Sequence, residues 1–200
     1  MHECRPATRW LTFLGMISIF ICSSGAITLG DLRNDSNLTP QHFASFFSNF
    51  RYEYRAAVQP PEIFLATQSG DCDDYATLAD MVLREKGYTT RLVTVRTKHV
   101  VHVVCYVKET QTYLDFNNRG CFRRTIHCGE ELPAIASAVA KSLHEDWNSV
   151  TEFKFDAGLK RLVKTVLRPE FERDQRLTAS KTLPKSGLAL ASQSESMPRN

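Results

Sequence analysis

Apolar residues recur at Cys72, Tyr75, Ala76, Ala79, Val82 and Leu83, the i, i+3, i+4, i+7 spacing of a helix with one buried face. Asp71 in front of that run is a good N-cap, Asp74 is the acid a capping box needs three residues on, and Lys86-Gly87 is a basic last turn closed by a C′ glycine. The pattern therefore predicts a helix from about Cys72 to Lys86. Upstream, Thr39-Pro40 reads as the N-cap and first position of a helix whose Phe43, Phe46, Phe47 and Phe50 form an apolar stripe, assigned to the core. Pro60-Pro61 opens a short helical stretch through Leu65, and Gln68-Ser69-Gly70 turns the chain into the long helix.

Beyond Gly87 the period falls towards two. Thr89 to Thr97, Val100 to Val107 and Thr112 to Asn117 are rich in Val, Thr, Tyr and Leu, with polar breaks at Lys98 and at Lys108 to Gln111, and predict an antiparallel meander. Glu130 to Trp147 returns to a helical pattern. Thr151 to Phe155 alternates, Ala157-Gly158 turns and Leu162 to Leu167 comes back, which predicts a hairpin.

The two ends have different compositions from this middle. Arg5 and Arg9, an apolar run from Trp10 to Cys22 and the small residues Ser23 to Ala26 follow the order of a secretory signal, residues 1–26; the run is short of the roughly 20 residues a membrane span requires. Export to the periplasm or medium is the expectation, with membrane contact only if this segment is not cleaved. Residues 27–168 are then one folded domain, and 169–200, rich in Ser, Lys, Arg, Ala and Gln without a lasting period, a disordered tail. The formal charge of +3 over 200 residues is spread along the chain with acids and bases interleaved, which argues against a nucleic-acid partner.

Strand parity and helix position then single out chemistry. A thiol in the first turn of a helix meets unpaired N–H groups and the positive dipole end, which stabilise thiolate, while Asp71, Asp73 and Asp74 push the other way. An imidazolium beside Cys72 would tip that balance. On the second strand His102 shares a face with Val100, Val104 and Tyr106, and His99 shares the other with Val101, Val103 and Cys105, so the two histidines cannot face one site. An even hairpin loop over Lys108 to Gln111 sets Val104 opposite Asp115 and His102 opposite Asn117. Asp115 then lies diagonal to His102, about 7–8 Å away at the backbone. Cys72, His102 and Asp115 form a candidate set of nucleophile, base and orienter, with Asp115 expected on the imidazole Nδ1–H and Nε2 turned towards Cys72.

The string Gly70-Asp71-Cys72-Asp73-Asp74-Tyr75-Ala76, the later His-Val-Val strand and Tyr113-Leu114-Asp115 resemble the transglutaminase-like superfamily, in particular its bacterial transglutaminase-like cysteine peptidases, over about residues 58 to 118. The resemblance implies an α+β, papain-like fold in which the helix carrying the nucleophile packs on a small antiparallel sheet. It also implies thiol acyl transfer on a protein or peptide substrate, with Cys72 as nucleophile, His102 as general base and acid, and Asp115 as orienting carboxylate. Val58 stands where such relatives often have an aromatic residue, and Gln59 beside it is a candidate oxyanion donor. A peptidase or amidase is the first reading. The alternatives are a protein-crosslinking transglutaminase and a catalytically silent binding module.

No cofactor or metal is assigned. The acids around Cys72 lack the glycine and terminal Glu of a calcium loop. Cys121 and Cys128, seven residues apart with His127 adjacent, have the spacing of a small disulfide in an exported protein but fall short of a zinc set.

Overall fold

The computed structural model describes residues 26–121, 124–156 and 158–170; the expected signal segment and most of the expected tail lie outside them. Thr28 and Asp31 form a capping box that starts α1, Leu29–Asn34, a helix absent from the expectations because a six-residue element offers too short a period to read. Thr39 accepts the His42 N–H and starts α2, Pro40–Ser45. This helix is shorter than its aromatic stripe, yet Phe43, Phe47 and Phe50 are all buried as core. A two-residue strand β1, Arg51–Tyr52, follows, then α3, Pro61–Thr67, and β2, Ser69–Gly70, which pairs with β1 in parallel. The central helix α4 runs Cys72–Glu85 and ends at Gly87, whose φ of 88° lies in the left-handed region that glycine enters freely.

The meander follows as β3, Thr90–Thr97, β4, Val101–Val107, and β5, Thr112–Leu114. The third strand stops three residues short of expectation, because Asp115 caps a 3-10 turn over Phe116–Asn118 by accepting the Asn117 N–H. The short strand β6, Thr125–His127, adds to β5, and α5, Leu132–Ser142, crosses back. The sequence pattern carried that helix on to Trp147. It stops earlier because His144 takes a left-handed φ of 57°, and Trp147 already begins the next strand. The expected hairpin is present as β7, Trp147–Asp156, and β8, Leu159–Leu167.

These strands form one six-stranded sheet in the order β6-β5-β4-β3-β7-β8, antiparallel throughout. Each face carries a helix. Leu92, Val103, Cys105 and Leu114 pack with α4, α1–α3 and Phe116 on one side; Val93, Val95, Val104, Tyr106 and Tyr113 pack with α5 on the other. Along β4 the apolar side chains alternate between the two cores, so nearly every residue of that strand is buried. The α4 N-terminus meets the sheet at the end where β4 begins. Among the described residues no helix is long and apolar enough to cross a membrane.

Candidate active site

The loop before α4 is built around two carboxylates. Asp71 Oδ1 accepts the Asp73 N–H at 3.0 Å, and Asp74 Oδ2 accepts the Asp71 N–H at 3.1 Å, the reciprocal cap that the sequence predicts. Asp74 is 3% exposed and also takes the Gln59 backbone N–H at 2.6 Å and Gln59 Nε2 at 2.7 Å. Among the described residues no cation pairs with it. Donors from the backbone and from an amide hold the charge instead, which a buried carboxylate needs. Gly70 has to be glycine here, since a Cβ would collide with Asp74 Oδ2 and come within 2.7 Å of Phe64 Cδ2 and 2.8 Å of Gln59 Nε2. Residues 51–55 strap this loop down: Arg51 N donates to Gln68 O and Glu53 N to Gly70 O, both at 2.8 Å, and Arg55 N donates to Asp71 Oδ2 at 2.9 Å. The first residue of α4 is thereby fixed, and it is Cys72.

His102 lies near the start of β4, buried at 3% exposure, with Nε2 2.8 Å from Asp115 Oδ1. The hairpin register is the one an even loop dictates: Cys105 opposite Leu114, Tyr106 opposite Tyr113 and Val107 opposite Thr112, so Asp115 is diagonal to His102. The ring nitrogens are reversed from expectation, however. A diagonal partner is farther off than an opposite one and has to be met by the distal nitrogen of the ring, which leaves Nδ1 as the free one. Burial pulls the imidazolium down, but the hydrogen bond to Asp115 and the nearby Cys72 thiol outweigh it and push the His102 pKa up to about 10. The same Asp115 oxygen takes the Asn117 N–H at 2.8 Å, and Oδ2 faces Asn118 Nδ2 at 3.4 Å, so one side chain both caps the turn and holds the ring.

The Cys72 thiol itself is 8% exposed and donates to Asp73 Oδ1 at 3.4 Å. Burial and the neighbouring Asp71 charge raise the Asp73 pKa, against the thiol's hydrogen bond and the Lys160 charge, which lower it. Asp71, Cys72 and Asp73 are the one cluster of possible metal ligands among the described residues, their ligand atoms within 4.8 Å of one another. Both Asp71 oxygens already accept backbone N–H groups and Asp73 Oδ1 already accepts the thiol, so the nearest oxygens serve the protein itself.

Gln59 is positioned differently from expectation, whereas His99 lies off the site as the strand parity requires. Gln59 gives both amide hydrogens away, to Asp74 Oδ2 and to Ser69 O at 3.0 Å, which leaves none for an oxyanion in this arrangement; its Oε1 is buried without a partner. His99 is outside the site, its side chain 66% exposed and 3.4 Å from Glu145. Cys105 is sealed in the core, where burial pushes its thiol well up, and Cys128 is pushed up to about 11 for the same reason. Cys121 and Cys128 are not bonded to each other; both are free thiols. One neighbour of the thiol escaped sequence reasoning. Tyr52 pairs with Gly70 across the β1–β2 ladder, its ring 6.5 Å from Phe116, and burial and then the Cys72, Asp71 and Asp73 charges raise its phenol. Its only sequence signal is the run of aromatics in Phe50-Arg51-Tyr52-Glu53-Tyr54, which has no period to place it.

Comparison with known proteins bears on the same residues. No curated protein matches the sequence. Among solved structures the chain is similar to the calcium-bound LapG of Legionella pneumophila, at 16% identity over 74% of this chain and 86% of that one, with a TM-score of 0.45. The sequence model of the transglutaminase-like superfamily matches residues 32–158, well over half of the chain and a span that takes in Cys72, His102 and Asp115. On that match, the chain belongs to the transglutaminase-like superfamily.

Proposed function

We propose that the chain is an exported thiol acyl-transfer enzyme, a cysteine peptidase or amidase, whose folded domain spans residues 27–168 and acts on a protein or peptide substrate. The observation that carries this reading is the buried ion pair of His102 Nε2 with Asp115 Oδ1 beside the Cys72 thiol. A histidine has no structural need of a carboxylate on one side and a thiol on the other, and this is the arrangement nucleophilic catalysis uses. His102 carries the proton as an imidazolium between Asp115 and Cys72, and the Cys72 thiolate attacks the substrate carbonyl carbon. The oxyanion forms against the Cys72 backbone N–H, which sits at the first position of α4 where the cap engages Asp73 instead. His102 then gives the proton to the leaving amine, and the acyl-sulfur bond is broken by water. A lysine amine in place of water would make the same residues a crosslinking transglutaminase. Asp115 fixes the ring and stabilises its charge throughout.

Alkylation by iodoacetamide, mapped by mass spectrometry, tests this. Cys72 should label in the folded protein at pH 6 despite being buried, ahead of the exposed Cys121. His102→Ala should slow the labelling at least tenfold and abolish turnover of any peptide amide found to be a substrate, while His99→Ala should leave both intact. Labelling of Cys72 only in denaturant would reduce the site to a silent binding module.

A further inference from the structure

The β7–β8 ribbon has more exposed apolar surface than the rest of the sheet. Leu159, Leu162 and Val163 are 65%, 69% and 54% exposed, and Phe155 adds 37%. β8 is the last strand of the sheet, nine residues long, with β7 on one side and no described strand on the other. A long apolar edge invites pairing with another chain and is normally blunted by charge, proline or shortness. Here charge is present, but of one sign: between positions 154 and 164 stand Lys154, Lys160, Arg161 and Lys164 against the single acid Asp156. Arg161 pairs with Asp156 at 2.9 Å, and the Lys160 ammonium sits 3.8 Å over the Phe153 ring. Lys154 and Lys164 have no acidic partner among the described ion pairs.

We infer that the free edge of β8 docks an extended segment of a partner protein in which apolar and acidic residues alternate, added as a seventh strand. Main-chain hydrogen bonds would supply much of the affinity, Leu162 and Val163 the apolar contacts, and Lys160 and Lys164 on the edge itself the selection for acids. A second copy of this chain fits poorly. Val163 is a bulge in β8 with no residue opposite it on β7, and antiparallel pairing of two β8 strands would crowd Lys160, Arg161 and Lys164 of each against the same cations of the other, where like charges are destabilising. β3 and β7 separate β8 from β4 in the sheet, although the Lys160 charge reaches Asp73 beside the thiol, so the inference is tested with the thiol removed.

The test uses the full chain with Cys72→Ala, so that turnover plays no part, and two synthetic decapeptides, one alternating valine with glutamate and one alternating valine with lysine. Binding is read by fluorescence anisotropy at low salt and by hydrogen exchange of residues 159–167. The glutamate peptide should bind saturably and slow exchange along β8 several-fold, with β1 and β2 unchanged. The lysine peptide should bind at least tenfold more weakly. The Lys160→Glu, Arg161→Glu, Lys164→Glu triple variant should reverse that preference, and Lys164→Glu alone should weaken glutamate-peptide binding if the triple variant fails to fold. Three results would each overturn the inference: binding insensitive to charge reversal, no slowing in β8, or β8 already protected without peptide, the last meaning that a second copy or the chain itself covers the edge.

Discussion

Asp115 Oδ1 accepts from His102 Nε2 and from the Asn117 N–H, each at 2.8 Å, so the turn that ends β5 and the orientation of the candidate base depend on one oxygen. The strand break has a purpose on this view. Had β5 run on to Asn117, the Asp115 backbone would have stayed in the ladder; the 3-10 turn instead lets its side chain reach back across the hairpin to the ring.

Substitutions at Asp115 separate its two duties. Asp115→Asn keeps an oxygen for the Asn117 N–H but removes the charge that holds the imidazolium. It should lower the melting temperature, because the raised His102 pKa that Asp115 supports is itself stabilising, and cost at least tenfold in Cys72 labelling and turnover, against about 10⁴ for the equivalent change in the serine-protease template. Asp115→Ala loses the cap as well and should melt earlier still, by the equivalent of about 1 kcal/mol. Thermal melts beside labelling rates check both. Equal losses of stability in the two variants with labelling unchanged would leave Asp115 as a cap and nothing more.

Stability should depend on His102 in a definite pH window. In the unfolded chain the imidazole releases its proton near the ordinary value of about 6.5, whereas in the fold it holds it to about 10. Between those values the folded state binds more protons than the unfolded one, so this contribution is fully present below about pH 6.5 and is lost as pH rises through about 10. Denaturant midpoints at pH 6, 8 and 10 should fall for the wild type. His102→Gln, which cannot titrate, should flatten the fall. Parallel slopes in the two proteins would mean that some other group sets the dependence.

How much of this was legible in the sequence follows from how local each determinant is. The limits and cap of α4 lie between Asp71 and Gly87, in side-chain types whose cap chemistry is fixed, so Asp71, Asp74 and Gly87 announce them. The hairpin register was readable because loop length dictates it. β1 and β2 were not, because two-residue strands have no period and their parallel pairing brings together positions 51 and 69. The ring nitrogen that meets Asp115 depends on a diagonal distance, and the engagement of Gln59 depends on where Asp74 comes to rest after folding. Pattern reports faces and elements; it does not report which atom of a side chain arrives first.

Gly70 offers a test of how tightly the loop before Cys72 is packed. Gly70→Ala forces its Cβ into Asp74, Phe64 and Gln59, a set with little freedom to retreat because Asp74 and Gln59 hold each other. Overpacking of this kind costs about 1–3 kcal/mol, so the melting temperature should drop by several degrees. Cys72 labelling should slow in the protein that remains folded, as the start of α4 moves. A melt within about a degree of wild type would show that the loop yields without loss.

Tyr52 is the side chain whose exposure and position are hardest to explain by packing. It is 56% exposed, held by the β1–β2 ladder beside Gly70, with no hydrogen bond to its hydroxyl among the described residues and with Cys72 first among the charges its phenol feels. A ring so placed stabilises the fold little; an exposed substitution of this kind usually stays within about 0.5 kcal/mol. If the ring instead walls the approach to the thiol, Tyr52→Ala should leave the melting temperature unchanged and raise KM for a peptide substrate about tenfold, with kcat moved less. Tyr52→Phe keeps the wall and should behave close to wild type. Loss of kcat in Tyr52→Phe would give a different account: the hydroxyl would then be donating to the developing oxyanion, whose loss of one donor can cost on the order of 10²–10³ in kcat. Labelling by iodoacetamide distinguishes both from damage to the nucleophile, because a reagent this small needs neither wall nor oxyanion donor and should alkylate Cys72 in both variants at the wild-type rate. Slower labelling would mean that Tyr52 supports the loop around Asp71, and its place in the cleft would have to be given up.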